Sequence, residues 1–171
     1  MVTVKLSHIK SRWVQKLLID PRDKIVVNIE AIFGLDSSLL PLENFEFTYS
    51  RRTGRIKNLF HDKELVATLR TDGWLALTIY GARLLLCNSK FKQNCVTVRN
   101  NVAEFISDGK SVFCKHVVDC GSNVKVGSEV AVLDENGNVI GVGKAILSAK
   151  MMREFKRGVA VKIREGLKAG R

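Results

Sequence analysis

Residues 105–113 read Phe105-Ile106-Ser107-Asp108-Gly109-Lys110-Ser111-Val112-Phe113, and the fold of the chain turns on them. Residues 102–107 make one or two helical turns. Asp108-Gly109 closes them, because glycine is the usual residue where a helix ends in a left-handed conformation. Residues 112–118 then predict a strand, with Cys114 inside its apolar pattern. Working outward, residues 95–99 form a strand before the helix and residues 123–128 a loop after it. Residues 129–133 and 139–146 flank Asp134-Glu135-Asn136-Gly137, whose Asn-Gly step is a strong hairpin signal. Ser148 is placed to cap a helix through Met151, Met152 and Phe155 to Gly158. Residues 159–163 are the last strand, with Lys162 and Arg164 alternating against Val161 and Ile163. Five short strands and two small helices within roughly 75 residues predict a compact, twisted, barrel-like sheet.

The polar, basic stretch at residues 88–93 separates this unit from an N-terminal half. There, residues 24–30 (Lys-Ile-Val-Val-Asn-Ile-Glu) read as a short β-rich run. Residues 45–50 alternate Phe45, Phe47 and Tyr49 against Glu46, Thr48 and Ser50, the period of a half-buried strand. Strands over 55–60 and 64–70 follow, separated by a turn at His61-Asp62-Lys63. Asp72-Gly73 supplies the turn chemistry of a tight hairpin returning through 74–78. Residues 79–86 are apolar enough for a short packed helix. Residues 1–9 alternate like a strand and do not read as a secretory signal, so the cytoplasm is the expected compartment. No window approaches the roughly 18 consecutive apolar residues that span a bilayer.

Composition limits the function. The chain has 171 residues, with 28 Lys+Arg against 17 Asp+Glu, a net charge of +11 and a pI near 9.8. An excess of this size on a folded chain attracts polyanions, of which nucleic acid is the commonest. Residues 1–92 carry 15 basic and 9 acidic side chains, leaving 13 and 8 for the remainder. The charge is therefore spread over both halves and is not a basic tail. Cys87, Cys95, Cys114 and Cys120 form no CxxC pair, and no histidine stands at ligand spacing from two of them. They read as structural thiols, with no metal and no cofactor implied.

The C-terminal half resembles the PUA domain, the RNA-binding module named for pseudouridine synthases and archaeosine transglycosylases. Four fragments match in order and spacing: residues 105–113, then 126–132 (Val-Gly-Ser-Glu-Val-Ala-Val), then Val142-Gly143-Lys144-Ala145 with Met151-Met152, then 158–164 (Gly-Val-Ala-Val-Lys-Ile-Arg). The resemblance implies a pseudobarrel of five or six strands flanked by helices. Residues 49–56 (Tyr-Ser-Arg-Arg-Thr-Gly-Arg-Ile) and 69–73 (Leu-Arg-Thr-Asp-Gly) are similar to the domain that precedes PUA in archaeal proteins. Such a pair closes the archaeosine tRNA-guanine transglycosylase. The expected fold class is α+β: a small α+β pre-PUA domain over 1–92, then a PUA β-pseudobarrel over 93–171. A transglycosylase also needs a catalytic barrel and a zinc site, and this sequence has no room for that barrel.

By motif, the resemblance places RNA contacts at Gly109, Lys110 and Ser111 in the loop, Phe113 and Lys115 on the following strand, and Lys162 and Arg164 at the end. A glycine admits sugar-phosphate close to the backbone, and free N–H groups there bind phosphate oxygens. Arg51, Arg52, Arg55 and Lys57 are the densest basic run, without an acid among them. Thr53-Gly54 turns the chain in its middle, which predicts a second backbone-contact site. Lys150, Arg153, Lys156 and Arg157 predict a solvated basic helix face opposite Met151, Met152 and Phe155. His8, His61 and His116 stand alone with no nucleophile motif beside them, so no catalytic residue is assigned. The expected function is recognition of RNA (tRNA or rRNA) for a modification enzyme, with a ribosome binder and a protein adaptor as rivals. In the adaptor reading, residues 79–86 supply an apolar contact.

Overall fold

The computed structural model describes residues 21–36 and 44–168. Residues 1–9, read above as strand-like, lie outside them. The first element, α1 (Pro21–Phe33), corrects the β-rich reading of residues 24–30. Ile25, Ile29 and Phe33 recur every four residues and are all buried, whereas Val27 is 59% exposed. One apolar helical face outweighs the local β preference of Ile-Val-Val. Proline suits the first helical position. Gly34, at φ +65°, turns its N–H back to the Glu30 carbonyl at 2.8 Å and ends the helix.

Four antiparallel strands follow in sequence order: β1 (Phe45–Tyr49), β2 (Ile56–His61), β3 (Glu64–Leu69) and β4 (Leu75–Leu77). The β2–β3 turn uses Asp62 and Lys63, both at positive φ, and the β3–β4 turn uses Gly73 at φ +87°. Helix α2 (Ile79–Leu86) is capped by Thr78, whose hydroxyl accepts from the Gly81 N–H at 3.0 Å. It packs between β3 and the barrel strand β9 (Val139–Ala145). A Cβ on Gly81 would stand 2.0 Å from the Val66 carbonyl oxygen, so only glycine permits this approach. Ile79, Ala82 and Leu85 are buried in a core that continues into Cys95, Ala131, Leu133, Val139 and Val142. The buried face of residues 79–86 is therefore taken up by packing between the two halves, which leaves only the partly buried Tyr80, Leu84 and Leu86 for the contact expected of an adaptor.

The second sheet has six strands in the order β6-β10-β9-β8-β5-β7. They are β5 (Cys95–Val98), β6 (Val112–Phe113), β7 (Val117–Cys120), β8 (Glu129–Leu133), β9 and β10 (Val159–Gly166). β5 and β8 run parallel and the other neighbours antiparallel. The single strand expected over 112–118 is two strands, interrupted by a 3-10 turn at Cys114–His116. β6 and β7 are the two edges of the sheet, so this turn carries the chain across the gap and nearly closes the barrel. Its interior is filled by Val96, Val98, Val112, Val130, Val132, Ala160 and Val161, all fully buried. Helix α3 (Asn100–Ser107) contributes Val102 and Ile106 to that core, and helix α4 (Ala149–Glu154) contributes Ala149 and Met152. Ser148 caps α4, its hydroxyl accepting from the Met151 N–H at 3.4 Å. All four cysteines are free thiols, and only Cys87 is exposed. Burial pushes the Cys95 thiol up to about 12 and the Cys120 thiol up to about 11.

Candidate nucleic-acid interface

The glycine corner after α3 has the left-handed geometry that its sequence predicts, with Gly109 at φ +87°. Its amides are not free, however. The N–H groups of Asp108, Gly109 and Lys110 donate to the carbonyls of Glu104, Ile106 and Phe105 at 3.0, 2.9 and 3.0 Å. A helix that ends this way satisfies its own last carbonyls and leaves no anion nest at those three positions. The inner side of the corner rests on the end of β10. A Cβ on Gly166 would lie 2.3 Å from the Ser107 carbonyl oxygen and 2.7 Å from the Gly109 nitrogen. The Lys168 N–H donates to the Ser107 carbonyl at 2.9 Å. Its ammonium meets Glu104 at 2.8 Å and holds that carboxyl below its usual value.

What the corner does present is side chains. Lys110 is exposed, Ser111 is half-buried, and Phe105 and Phe113 are 60% and 46% exposed on either side of the turn. Phe113 pairs with Val159 across β6 and β10, pointing outward from the barrel. Phe105 escapes the sequence reading as a site residue. The signal was there: Val102 and Ile106 define the buried face of α3 and leave Phe105 off it. Lys115 lies in the 3-10 turn between β6 and β7, not on a strand, and is exposed. Beside it, burial, then Lys115 and Arg99, hold the His116 imidazole below its ordinary value.

Lys162 and Arg164 both point outward from β10, but their surroundings differ. Lys162 stands directly opposite Lys144 on β9, and neither has an ion-pair partner among the described residues. Arg164 is engaged. Its guanidinium pairs with the buried Glu129 carboxylate and donates to the Leu77 carbonyl. Glu129 accepts from the Leu77 N–H at 3.2 Å, and Glu165 accepts from the Ile79 N–H at 3.5 Å. Burial pushes the Glu129 carboxyl up, against the pull of Arg164, the Leu77 amide and Arg70. These groups clamp β4 and the start of α2 onto the barrel.

In the N-terminal half, Arg51, Arg52 and Arg55 ride on the β1–β2 turn and Lys57 on the start of β2. The turn is closed by Ser50 N–H to Arg55 carbonyl and Gly54 N–H to Ser50 carbonyl, both at 2.8 Å. All four side chains are exposed and free of ion pairs among the described residues. Arg52, Arg55 and Lys57 line a groove of about 470 Å³ together with Arg70, Ile56 and Leu69. The basic face expected on the helix after Ser148 is shorter than predicted. α4 stops at Glu154 because Phe155 turns extended (ψ 129°), which leaves Lys156 and Arg157 in a loop. Arg153 donates to the Cys120 carbonyl, and Lys150 lies 4.0 Å from Glu154.

The family model of the PUA domain matches residues 94–167, and that of the patch-forming domain C2 of tRNA-guanine transglycosylase matches residues 32–92. The tRNA-guanine(15) transglycosylase of Thermoplasma volcanium is 44% identical over 120 residues, 69% of this chain and 19% of that protein. Its counterpart in Methanothermobacter thermautotrophicus is 32% identical over 150 residues, 86% of this chain and 23% of that protein. The chain thus spans about a fifth of the length of the curated relatives it matches. Among solved structures, a hypothetical protein from Pyrococcus horikoshii aligns with a TM-score of 0.66 at 21% identity, over 85% of this chain and 89% of that one. A PUA domain from Aeropyrum pernix aligns at 0.62 with 20% identity, over 85% and 81%. Both share the fold.

Proposed function

We propose that this chain, which carries a PUA domain and matches the C-terminal part of the archaeosine transglycosylases, binds tRNA on behalf of a modification enzyme and contributes no catalytic group. The observation that carries the proposal is a set of exposed cations with no acid paired to them among the described residues. Arg51, Arg52, Arg55 and Lys57 form one group on the β1–β2 turn and the start of β2; Lys110, Lys115 and Lys162 form the other on the barrel. Lysine and arginine left unneutralised in this way displace counterions from phosphate, the main source of affinity for a nucleic-acid backbone. Exposed Phe105 and Phe113 beside Lys110 offer faces on which unpaired bases stack.

On this reading, the barrel holds the single-stranded acceptor end and the β1–β2 turn holds the paired backbone. The glycine corner contributes through Lys110 and Ser111, its own amides being spent on α3. The names of the relatives, all tRNA-guanine transglycosylases, support tRNA over other RNAs. Binding to tRNA with and without its 3′ end tests the assignment. Removal of the end is expected to weaken binding about tenfold, the worth of one or two stacked bases. Equal affinity for both forms contradicts acceptor-end recognition and favours a ribosome binder that reads other RNA.

A further inference from the structure

A cleft at the junction of the two halves adjoins the binding surfaces described so far and has no role in the proposed acceptor-end contacts. It measures about 180 Å³ and is lined by Arg70, Asp72 and Trp74 from the β3–β4 hairpin, and by Val126, Gly127, Glu129 and Lys144 from the barrel. Two exposed apolar side chains line it, one from each half: Trp74 at 42% and Val126 at 64% exposure. Most of its polar groups are already matched. Arg70 meets Asp72 at 3.0 Å, the Trp74 N–H donates to Asp72 at 3.2 Å, and Glu129 is held by Arg164. Lys144 is the charge left over. It stands directly between Glu129 and Lys162 in the strand register and has no ion-pair partner among the described residues.

The position of the cleft matters as much as its lining. Arg70 belongs both to this cleft and to the groove of Arg52, Arg55 and Lys57. On the other side, Lys144 leads across the sheet to Lys162. A line of cations therefore runs from the β1–β2 turn, past Arg70 and Lys144, to β10, and Trp74 lines the same cleft as Arg70 and Lys144. Cationic grooves interrupted by aromatic faces are how proteins hold a nucleic-acid strand and take up its unpaired bases.

We propose that this junction cleft takes up one unpaired nucleotide from within an RNA strand, its base between Trp74 and Val126 and its phosphate on Lys144. The assignment rests on the RNA-binding reading and adds a place where an internal base leaves its stack, distinct from the acceptor end. Because Trp74 and Val126 come from different halves, the niche depends on the packing that joins them, to which the clamp of Arg164 on Glu129 and Leu77 contributes alongside the shared apolar core. It reads the π-face of a base and one phosphate, so it accepts any base, with purines favoured by their larger face.

The test uses the full chain and two hairpin RNAs, one fully paired and one with a single bulged adenosine in its stem. Wild type is expected to bind the bulged RNA more tightly. Trp74→Leu is expected to lower that affinity between about fivefold and a hundredfold, and the uncharged truncation Val126→Ala to lower it by a smaller factor, each leaving the paired RNA unaffected. Equal wild-type affinity for the two RNAs overturns the proposal, as does an equal weakening for both RNAs in the variants. If wild type binds neither RNA, the RNA-binding reading itself fails, and the cleft assignment falls with it.

Discussion

Replacing Arg164 by leucine isolates the interaction that joins the two halves. In the folded chain the Glu129 side chain is 5% exposed and that of Arg164 is 39% exposed. Removing the guanidinium leaves a buried carboxylate with only the Leu77 amide and the more distant Arg70 to offset it, and also strips the Leu77 carbonyl of its donor. Breaking a fully buried pair from one side costs about 3–5 kcal/mol. The partial exposure of Arg164 and the remaining field of Arg70 reduce this to about 2 kcal/mol. Urea unfolding followed by circular dichroism is expected to show a lower midpoint with an unchanged slope. Adding Glu129→Gln removes the stranded charge and should restore about half of the lost stability. The pH dependence has a definite sign. Burial raises the folded-state Glu129 carboxyl, so the folded chain binds its proton more readily than the unfolded chain. The penalty in Arg164→Leu is thus full above the folded-state value and shrinks as pH falls through it towards the ordinary glutamate range. A cost below about 0.5 kcal/mol, with no pH dependence, would refute the clamp and make Arg164 one more free surface cation.

Two further outcomes follow from burial and backbone geometry. Ellman's reagent at pH 8 should modify Cys87 rapidly in the native chain, leaving Cys95, Cys114 and Cys120 protected until denaturant is added; fast reaction of more than one thiol contradicts the packing. Gly109→Ala places a side chain at φ +87° and should cost about 1 kcal/mol of stability. Its tRNA affinity should nevertheless stay within about twofold of wild type, because the amides at 108–110 already donate to α3; a large drop in binding at unchanged stability would mean that RNA meets that backbone after all.

Much of this architecture is legible in the order of residues. Asp108-Gly109, Asn136-Gly137 and Asp72-Gly73 each mark a reversal that the structure makes, and Ser148 caps the helix expected of it. Such signals are local: a few residues carry both the conformation and its cause. Residues 24–30 misled because β-branched side chains argued for a strand, whereas Ile25, Ile29 and Phe33 share a helical face only when a longer window is read. Residues 112–118 misled for a different reason. Their apolar pattern continues through Cys114, and the break comes from the need to pass between two sheet edges, which no single segment records. The interface shows the same division. Exposure of the cations at 51–57 follows from a turn, but the capture of Arg164 depends on Glu129 and on Leu77, 87 residues away. The niche of Trp74 and Val126 likewise joins residues that nothing in sequence connects.

The central claim is that unpaired cations on two surfaces bind tRNA through its phosphates. Its most direct test is the salt dependence of tRNA affinity, measured for wild type and for the chain with Arg51, Arg52, Arg55 and Lys57 changed to serine. Deleting one cation that neutralises a phosphate takes roughly one unit off the slope of log affinity against log salt. The expected result is weaker binding with a slope shallower by about three. An unchanged slope, at any affinity, would contradict the claim for this surface.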